Sequence, residues 1–191
     1  MTDVLTIDRV LDATTLEQIR REMRVADGDP ATVLGSRPGH RVTSTARKAT
    51  RIRVSKATYE VVAALLQTIQ PCIEAHFGRH LDGHEEPQFL RYGSGDYFVA
   101  HQDGNTPLVR DESRYRKISV VILLSAQSQS ATQGTYAGGA LVLHAPLGQA
   151  EPQLTIAPAP GTLLAFPSET THEVLPITYG ERLSVVSWYR G

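Results

Sequence analysis

The chain has 191 residues, 41% of them hydrophobic, and 19 lysines and arginines against 20 aspartates and glutamates give it a formal net charge of −1. That is enough chain to bury a sizeable core and too little charge to hold a large electrostatic partner, which argues against disorder and against nucleic-acid binding by bulk charge. No stretch nears the roughly 18 apolar residues of a membrane span, and the first residues carry acids where a signal peptide carries bases, so a soluble cytoplasmic protein with no membrane partner is expected.

Residues 4 to 12 read as a short strand and turn. Thr14-Thr15-Leu16-Glu17 has the form of a capping box opening a helix, with Leu16, Ile19 and Met23 on one face. Residues 27 to 48 hold Gly28, Pro30, Gly35, Pro38 and Gly39 with little periodicity and read as a long loop. Between Arg37 and Arg53 lie six lysines and arginines and no acid; a solvated loop is favoured there over a nucleic-acid patch. Ser55 caps a second predicted helix, with Val61, Val62, Leu65, Leu66 and Ile69 at helical spacing. Pro71 is expected to break or kink it, with a further turn or two to Gly78. The one cysteine, Cys72, allows no internal disulfide and no thiolate cluster, and is expected as a buried, reduced thiol.

After Pro87 the pattern changes. Short runs rich in valine, leucine, tyrosine and phenylalanine fall at 88–93, 96–101, 116–125, 139–145, 153–157, 162–166, 172–177 and 182–189, between glycine and proline turns. That rhythm predicts a sandwich or jelly roll. Nothing resembles a linker, so 1–191 reads as a single domain, with helical support and loops over 1–87 and a β core over 88–191. Ser125 to Thr135 reads as a polar, mobile loop.

Two segments place a histidine two residues before an aspartate. His80-Leu81-Asp82 follows a helix end in the polar stretch GRHLDGHEEP and reads as solvated connector, as do His84 and Glu86. His101-Gln102-Asp103 ends the strand-like run DYFVAH, where a period of two can aim two side chains at one ion. A ferrous site needs a third ligand and open positions. His144, in LVLH, reads as a strand-edge residue; His172 follows a turn and leads into HEVLPITYGERLSVVSWYRG. There Arg182 and Ser184 share a strand face, continued by Val186 and Trp188. An arginine aimed into an apolar barrel is costly unless it meets an anion, and with a neighbouring hydroxyl it suits a carboxylate.

The order of these parts resembles the iron(II)- and 2-oxoglutarate-dependent oxygenases of the prolyl 4-hydroxylase-like branch. It runs from an aromatic lead-in to His-x-Asp, then about seventy residues to a histidine, an arginine ten later and a serine two after that. FLRYGSGDYFVAHQDGN, RKISVVILLS, YAGGALVLH and APGTLLAFPSETTHEVLPITYGERLSVVSWY extend the likeness over residues 88 to 190. The resemblance implies an α+β, mainly β protein: a double-stranded β-helix (jelly roll) core with N-terminal supporting helices. It implies His101, Asp103 and His172 as the Fe(II) ligands and Arg182 as the residue binding the far carboxylate of 2-oxoglutarate, with Ser184 and Tyr92 beside it. Tyr97 and Trp188 become candidates for the substrate side, although Phe98, not Tyr97, stands three before His101. The implied reaction consumes dioxygen and 2-oxoglutarate and hydroxylates an aliphatic carbon, with ascorbate as a reductant; Asp103 favours hydroxylation over halogenation. The implied substrate is a prolyl or similar residue in a peptide or protein, with a free amino acid or small metabolite as the alternative. A nucleic-acid dealkylase of the same superfamily usually has a second arginine six after the first, where this chain has Trp188. A non-catalytic jelly-roll binding module is the alternative from another class. The segments 27–53 and 125–135 are candidate lids.

Overall fold

A computed structural model describes residues 3–31, 33–34, 41–42, 46–104, 111–130, 132–145 and 153–191. Strands are β1 (Leu5–Ile7), β2 (Gly28–Pro30), β3 (Val33–Leu34), β4 (Arg41–Val42), β5 (Arg47–Lys48), β6 (Thr50–Ile52), β7 (Gln88–Tyr92), β8 (Tyr97–His101) and β9 (Arg116–Leu123). They continue as β10 (Ala126–Gln127), β11 (Thr135–Gly138), β12 (Leu141–Leu143), β13 (Leu154–Ile156), β14 (Leu163–Pro167), β15 (His172–Val174), β16 (Ile177–Gly180) and β17 (Arg182–Arg190). Two helices, α1 (Ala13–Val25) and α2 (Lys56–Phe77), precede β7.

A seven-stranded sheet runs β1-β14-β9-β17-β7-β6-β2, and a five-stranded sheet runs β13-β12-β15-β8-β5. A small β10-β11-β16 sheet completes the jelly roll; β3 pairs with β4 separately. Alternation along the central strands of the large sheet explains the layering. Ile118, Val120 and Ile122 of β9, with Leu183, Val185 and Tyr189 of β17, join Ile19, Met23, Val62, Leu66 and Ile73 of the helices in one core. The intervening Val121 and Leu123 of β9 join Leu90, Tyr92, Tyr136, Leu143 and Phe166 in a second core between the sheets. The helices thus back the large sheet, and its other face is left for the barrel interior. Tyr189 ties the layers by donating its O–H to the carbonyl of Leu66 at 2.6 Å; burial pushes its phenol pKa up.

Several local expectations need correction. Asp12, not Thr14, caps α1, its carboxylate accepting from the amides of Thr14 and Thr15, and Glu17 reaches Arg20 at 3.5 Å instead of turning back to the cap. Ser55 does cap α2, and the helix closes at Gly78 with φ 61. Pro71 does not break it. Pro71 and Gln67 are both exposed, so the carbonyl that loses its helical donor lies on the hydrated side. Cys72 is exposed, not buried, because the buried stripe runs through Val62, Leu66 and Ile73 and passes it by; Val61 is off that stripe too, at 45% exposure.

The segment 27–48 is not one long loop. β2 pairs with β6 in the large sheet, and β5 pairs with β8 in the smaller one. These strands are two or three residues long, too short to show a period. Within the basic stretch, residues 37–40 and 43–45 lie outside the described residues, and so does any lid role for them, whereas Arg47, Lys48 and Arg51 belong to the paired strands β5 and β6. Residues 126–127 are not loop either, since β10 pairs in parallel with β11 and Gln127 donates to the carbonyl of Gly138 at 2.7 Å.

Candidate metal centre and active site

β8 and β15 pair antiparallel with His101 opposite His172 and Phe98 opposite Val174. Three steps on β8 answer two on β15, so β8 carries a bulge. Regular alternation would put Phe98 and His101 on opposite faces; the bulge turns both inward. Their rings stack 3.5 Å apart. Tyr97 takes the alternate position, in register with Lys48, so Phe98 occupies the place beside the imidazole.

Asp103 follows the end of β8, its amide donating to the carbonyl of Ser168 at 3.0 Å. Its carboxylate oxygens lie 3.6 Å from Nε2 of His101 and 3.4 Å from Nε2 of His172. The three potential ligand atoms all fall within 4.8 Å of one another. Nδ1 of His101 is 2.8 Å from the Val99 carbonyl and Nδ1 of His172 is 2.9 Å from the Thr170 carbonyl. A carbonyl can only accept, so both Nδ1 atoms carry the proton and both Nε2 lone pairs face the Asp103 carboxylate. Two imidazole nitrogens and one carboxylate, with open space for further ligands, is the donor set of a non-haem ferrous site. The residues fit that ion.

The surroundings hold these groups in ligating form. Burial pushes His172 down to about 4, with Asp103 opposing and His101 adding to the depression. Burial works against ionisation of Asp103, but the neighbouring His172 and His101, with the Trp188 indole, outweigh it and hold the carboxyl well below the usual range. Ser119 donates its hydroxyl to Asp103 Oδ2 at 2.7 Å. Trp188 in turn is covered by Arg116, whose guanidinium carbon sits 3.7 Å from the ring centroid and which forks onto Glu85 at 2.9 and 2.7 Å. Sequence reasoning missed Ser119 as well as this use of Trp188. The available signal was a lone polar residue within the apolar strand RKISVVIL.

Arg182 is the largest fully buried side chain, 2% exposed. It stands opposite Tyr92 in register, with its guanidinium carbon 5.4 Å from the Tyr92 ring centroid, and donates to Ser184 Oγ at 3.1 Å. Its Nε has no hydrogen-bond partner, and among the described residues no carboxylate pairs with it. Gly139, with φ 60, lets the backbone approach closely here: a Cβ would fall 2.1 Å from Ile177 Cδ1, 3.2 Å from the Tyr136 ring and 3.4 Å from Arg182 Cδ. An unpaired buried guanidinium with a hydroxyl and two tyrosines around it fits the far carboxylate of a dicarboxylic acid.

The other described histidines lie outside this cluster. His144 pairs with Glu173 at 3.0 Å, and His80 is a solvated residue between Glu74 and Asp82.

Known proteins agree with this geometry. Residues 87–190 match the family model of the 2OG-Fe(II) oxygenase superfamily. A PKHD-type hydroxylase of Shewanella oneidensis is 34% identical over 102 residues, 53% of this chain. The chain thereby covers only 41% of that relative's length. A PKHD-type hydroxylase of Synechococcus elongatus is 26% identical over 185 residues, covering 97% of this chain and 77% of its own. In fold, a crystal structure of a Pseudomonas putida prolyl-4-hydroxylase superposes with a TM-score of 0.73 at 22% identity, over 100% of this chain and 93% of that one. A prolyl hydroxylase from Trichoplax adhaerens, solved with a hypoxia inducible factor peptide fragment, superposes with a TM-score of 0.68 at 17% identity, covering 100% of this chain and 84% of that one. With the matched model spanning more than half of its residues and the superposition extending the fold to the rest, this chain belongs to the 2OG-Fe(II) oxygenase superfamily.

Proposed function

We propose that the chain is an Fe(II)- and 2-oxoglutarate-dependent hydroxylase acting on an aliphatic C–H bond, with a prolyl or similar residue of a peptide as its substrate. The observation that carries the reading is one interior holding both a His-Asp-His cluster and a buried guanidinium with no anion. Either alone has ordinary structural uses; together they answer the two requirements of the chemistry. His101, Asp103 and His172 would hold the metal, and Arg182 with Ser184 would hold the far carboxylate of 2-oxoglutarate. Bound Fe(II) and 2-oxoglutarate supply the oxidising power: decarboxylation to succinate and CO2 takes one oxygen atom of dioxygen, and the substrate carbon takes the other. Tyr92 and Tyr136, each 2% exposed, exclude water from the guanidinium and so strengthen its grip. Ser119 and Trp188 fix the carboxylate plane of Asp103, and the carbonyls of Val99 and Thr170 fix the two imidazole tautomers. The peptide substrate is supported by the branch resemblance and by the peptide in the Trichoplax complex.

The test is anaerobic addition of Fe(II) and 2-oxoglutarate to the purified protein. A weak metal-to-ligand band in the visible, absent in His101→Ala, is expected. Failure of the wild type to bind either component would leave a non-catalytic jelly-roll module as the better account.

A further inference from the structure

A second guanidinium lies in the barrel with no anion paired to it among the described residues. Arg47 stands on β5, the edge strand of the smaller sheet, directly opposite Phe98. Opposed residues of an antiparallel pair share a face, and Phe98 packs against the core between the sheets, so Arg47 points inward with it. Arg47 is 7% exposed. Its guanidinium carbon is 4.7 Å from the Phe98 ring centroid, and Phe98 is itself stacked on the ligand candidate His101. Only one aromatic side chain separates this cation from the cluster.

Among the described residues no carboxylate pairs with Arg47, and its Nε is buried without a hydrogen-bond partner. The adjacent Lys48 shows the contrast, with Asp96 at 3.2 Å. Residues 32 to 45, which lead into β5, contain no aspartate or glutamate. The face of Phe98 offsets part of the desolvation of the charge, but a buried cation without an anion remains costly.

Arg182 is approached by Tyr92, Ser184 and Gly139. Gly139 leads into β12, and β15 and β8, which carry His172 and His101, lie between β12 and β5 in the smaller sheet. In strand order the two arginines thus fall on opposite sides of the pair that carries the histidines.

We propose that Arg47 is the receptor for a carboxylate of the substrate, so that the molecule hydroxylated is anionic close to the attacked carbon. A single guanidinium fork, with no second free cation beside it among the described residues, suits a singly charged carboxylate better than a phosphate. The carboxylate comes from an acidic residue of a peptide or from a free amino acid. This inference rests on the hydroxylase reading and adds a substrate class to it.

The experiment uses the protein loaded anaerobically with Fe(II) and 2-oxoglutarate, with displacement of the visible band as the binding signal. Two matched pairs serve as probes: L-proline against L-prolinamide, and an end-blocked Glu-Pro peptide against its Gln-Pro counterpart. The wild type is expected to bind the acid of at least one pair roughly ten- to a hundredfold more tightly than its neutral partner, and the pair that responds identifies the source. In Arg47→Gln that ratio falls to near one. In Arg47→Lys, which keeps the charge and serves if the glutamine variant does not fold, it falls only in part. Equal binding of acid and neutral partner by the wild type, binding of neither acid, or a ratio unchanged in Arg47→Gln overturns the proposal. Loss of the 2-oxoglutarate band itself in a folded Arg47→Gln also overturns it, by assigning Arg47 to the cosubstrate. A wild type that gives no band at all defeats the hydroxylase reading first, and this one with it.

Discussion

Acidification of the metal-free protein should expose the burden that His172 places on the fold. Its pKa is pushed by burial from 6.5 to about 4, so between those values the unfolded chain binds a proton that the folded chain refuses. Stability therefore rises with pH across this window and is lost as pH falls through it. The full difference corresponds to about 3 kcal/mol. Roughly 2 kcal/mol of it is lost between about pH 7 and about pH 5. Urea unfolding at several pH values, in wild type and His172→Gln, reads the contribution of His172 together with its coupling to Asp103, whose carboxyl it helps keep ionised. The variant is expected to show the shallower dependence, by about that amount. Parallel curves for the two proteins would show that His172 titrates normally when folded, and the argument from burial would be refuted.

Two further outcomes follow from contacts around the cluster. Ser119→Ala removes a hydrogen bond to Asp103, and Trp188→Phe removes the indole N–H that helps keep its carboxyl ionised; each should weaken Mn(II) affinity, Ser119→Ala by roughly 10- to 100-fold, with the fold retained; calorimetric titration reads this directly, and unchanged affinity would assign both residues to packing. Gly180→Ala should be poorly tolerated, since at φ 71 its Cβ would fall 2.1 Å from the Thr135 carbonyl oxygen; a loss of about 2 kcal/mol or more in urea unfolding is expected.

What could be read in advance was whatever repeats. The recurrence of short apolar runs, those of β7, β9, β14 and β17 among them, between glycine and proline turns marks the jelly roll plainly, and the stripe Val62, Leu66 and Ile69 marks α2. His101 and Asp103 stand out because they end such a run. Elements with no period were invisible: β2, β5 and β10 are two or three residues long, and β11 and β16 both end on glycine. The cap of α1 was misplaced because Asp12 and Thr14 satisfy the same local rule, and only the entry of the chain decides between them. Cys72 was misjudged by residue type, when the turn of the helix settles its exposure. Arg47 lay in a basic stretch that reads as solvated, and nothing local in the sequence shows that β5 turns it toward the barrel. Trp188 was expected at the substrate side or in the core; its support of the Asp103 charge depends on a partner 85 residues away, beyond the reach of local pattern.

The slip of register opposite His172 leaves the two residues between Phe98 and His101 without side-chain duties in the site. Val99 and Ala100 both face water, and the atoms of Val99 that serve the site are backbone: its N–H on the Ala46 carbonyl and its own carbonyl under His101. Substitution at either position costs the cluster little. Deleting either one removes the surplus residue, so that the Phe98 and His101 positions come two apart and share a face by regular alternation, without the bulge. A scaffold whose strand alternates regularly would therefore present the same stacked pair with one residue fewer between them.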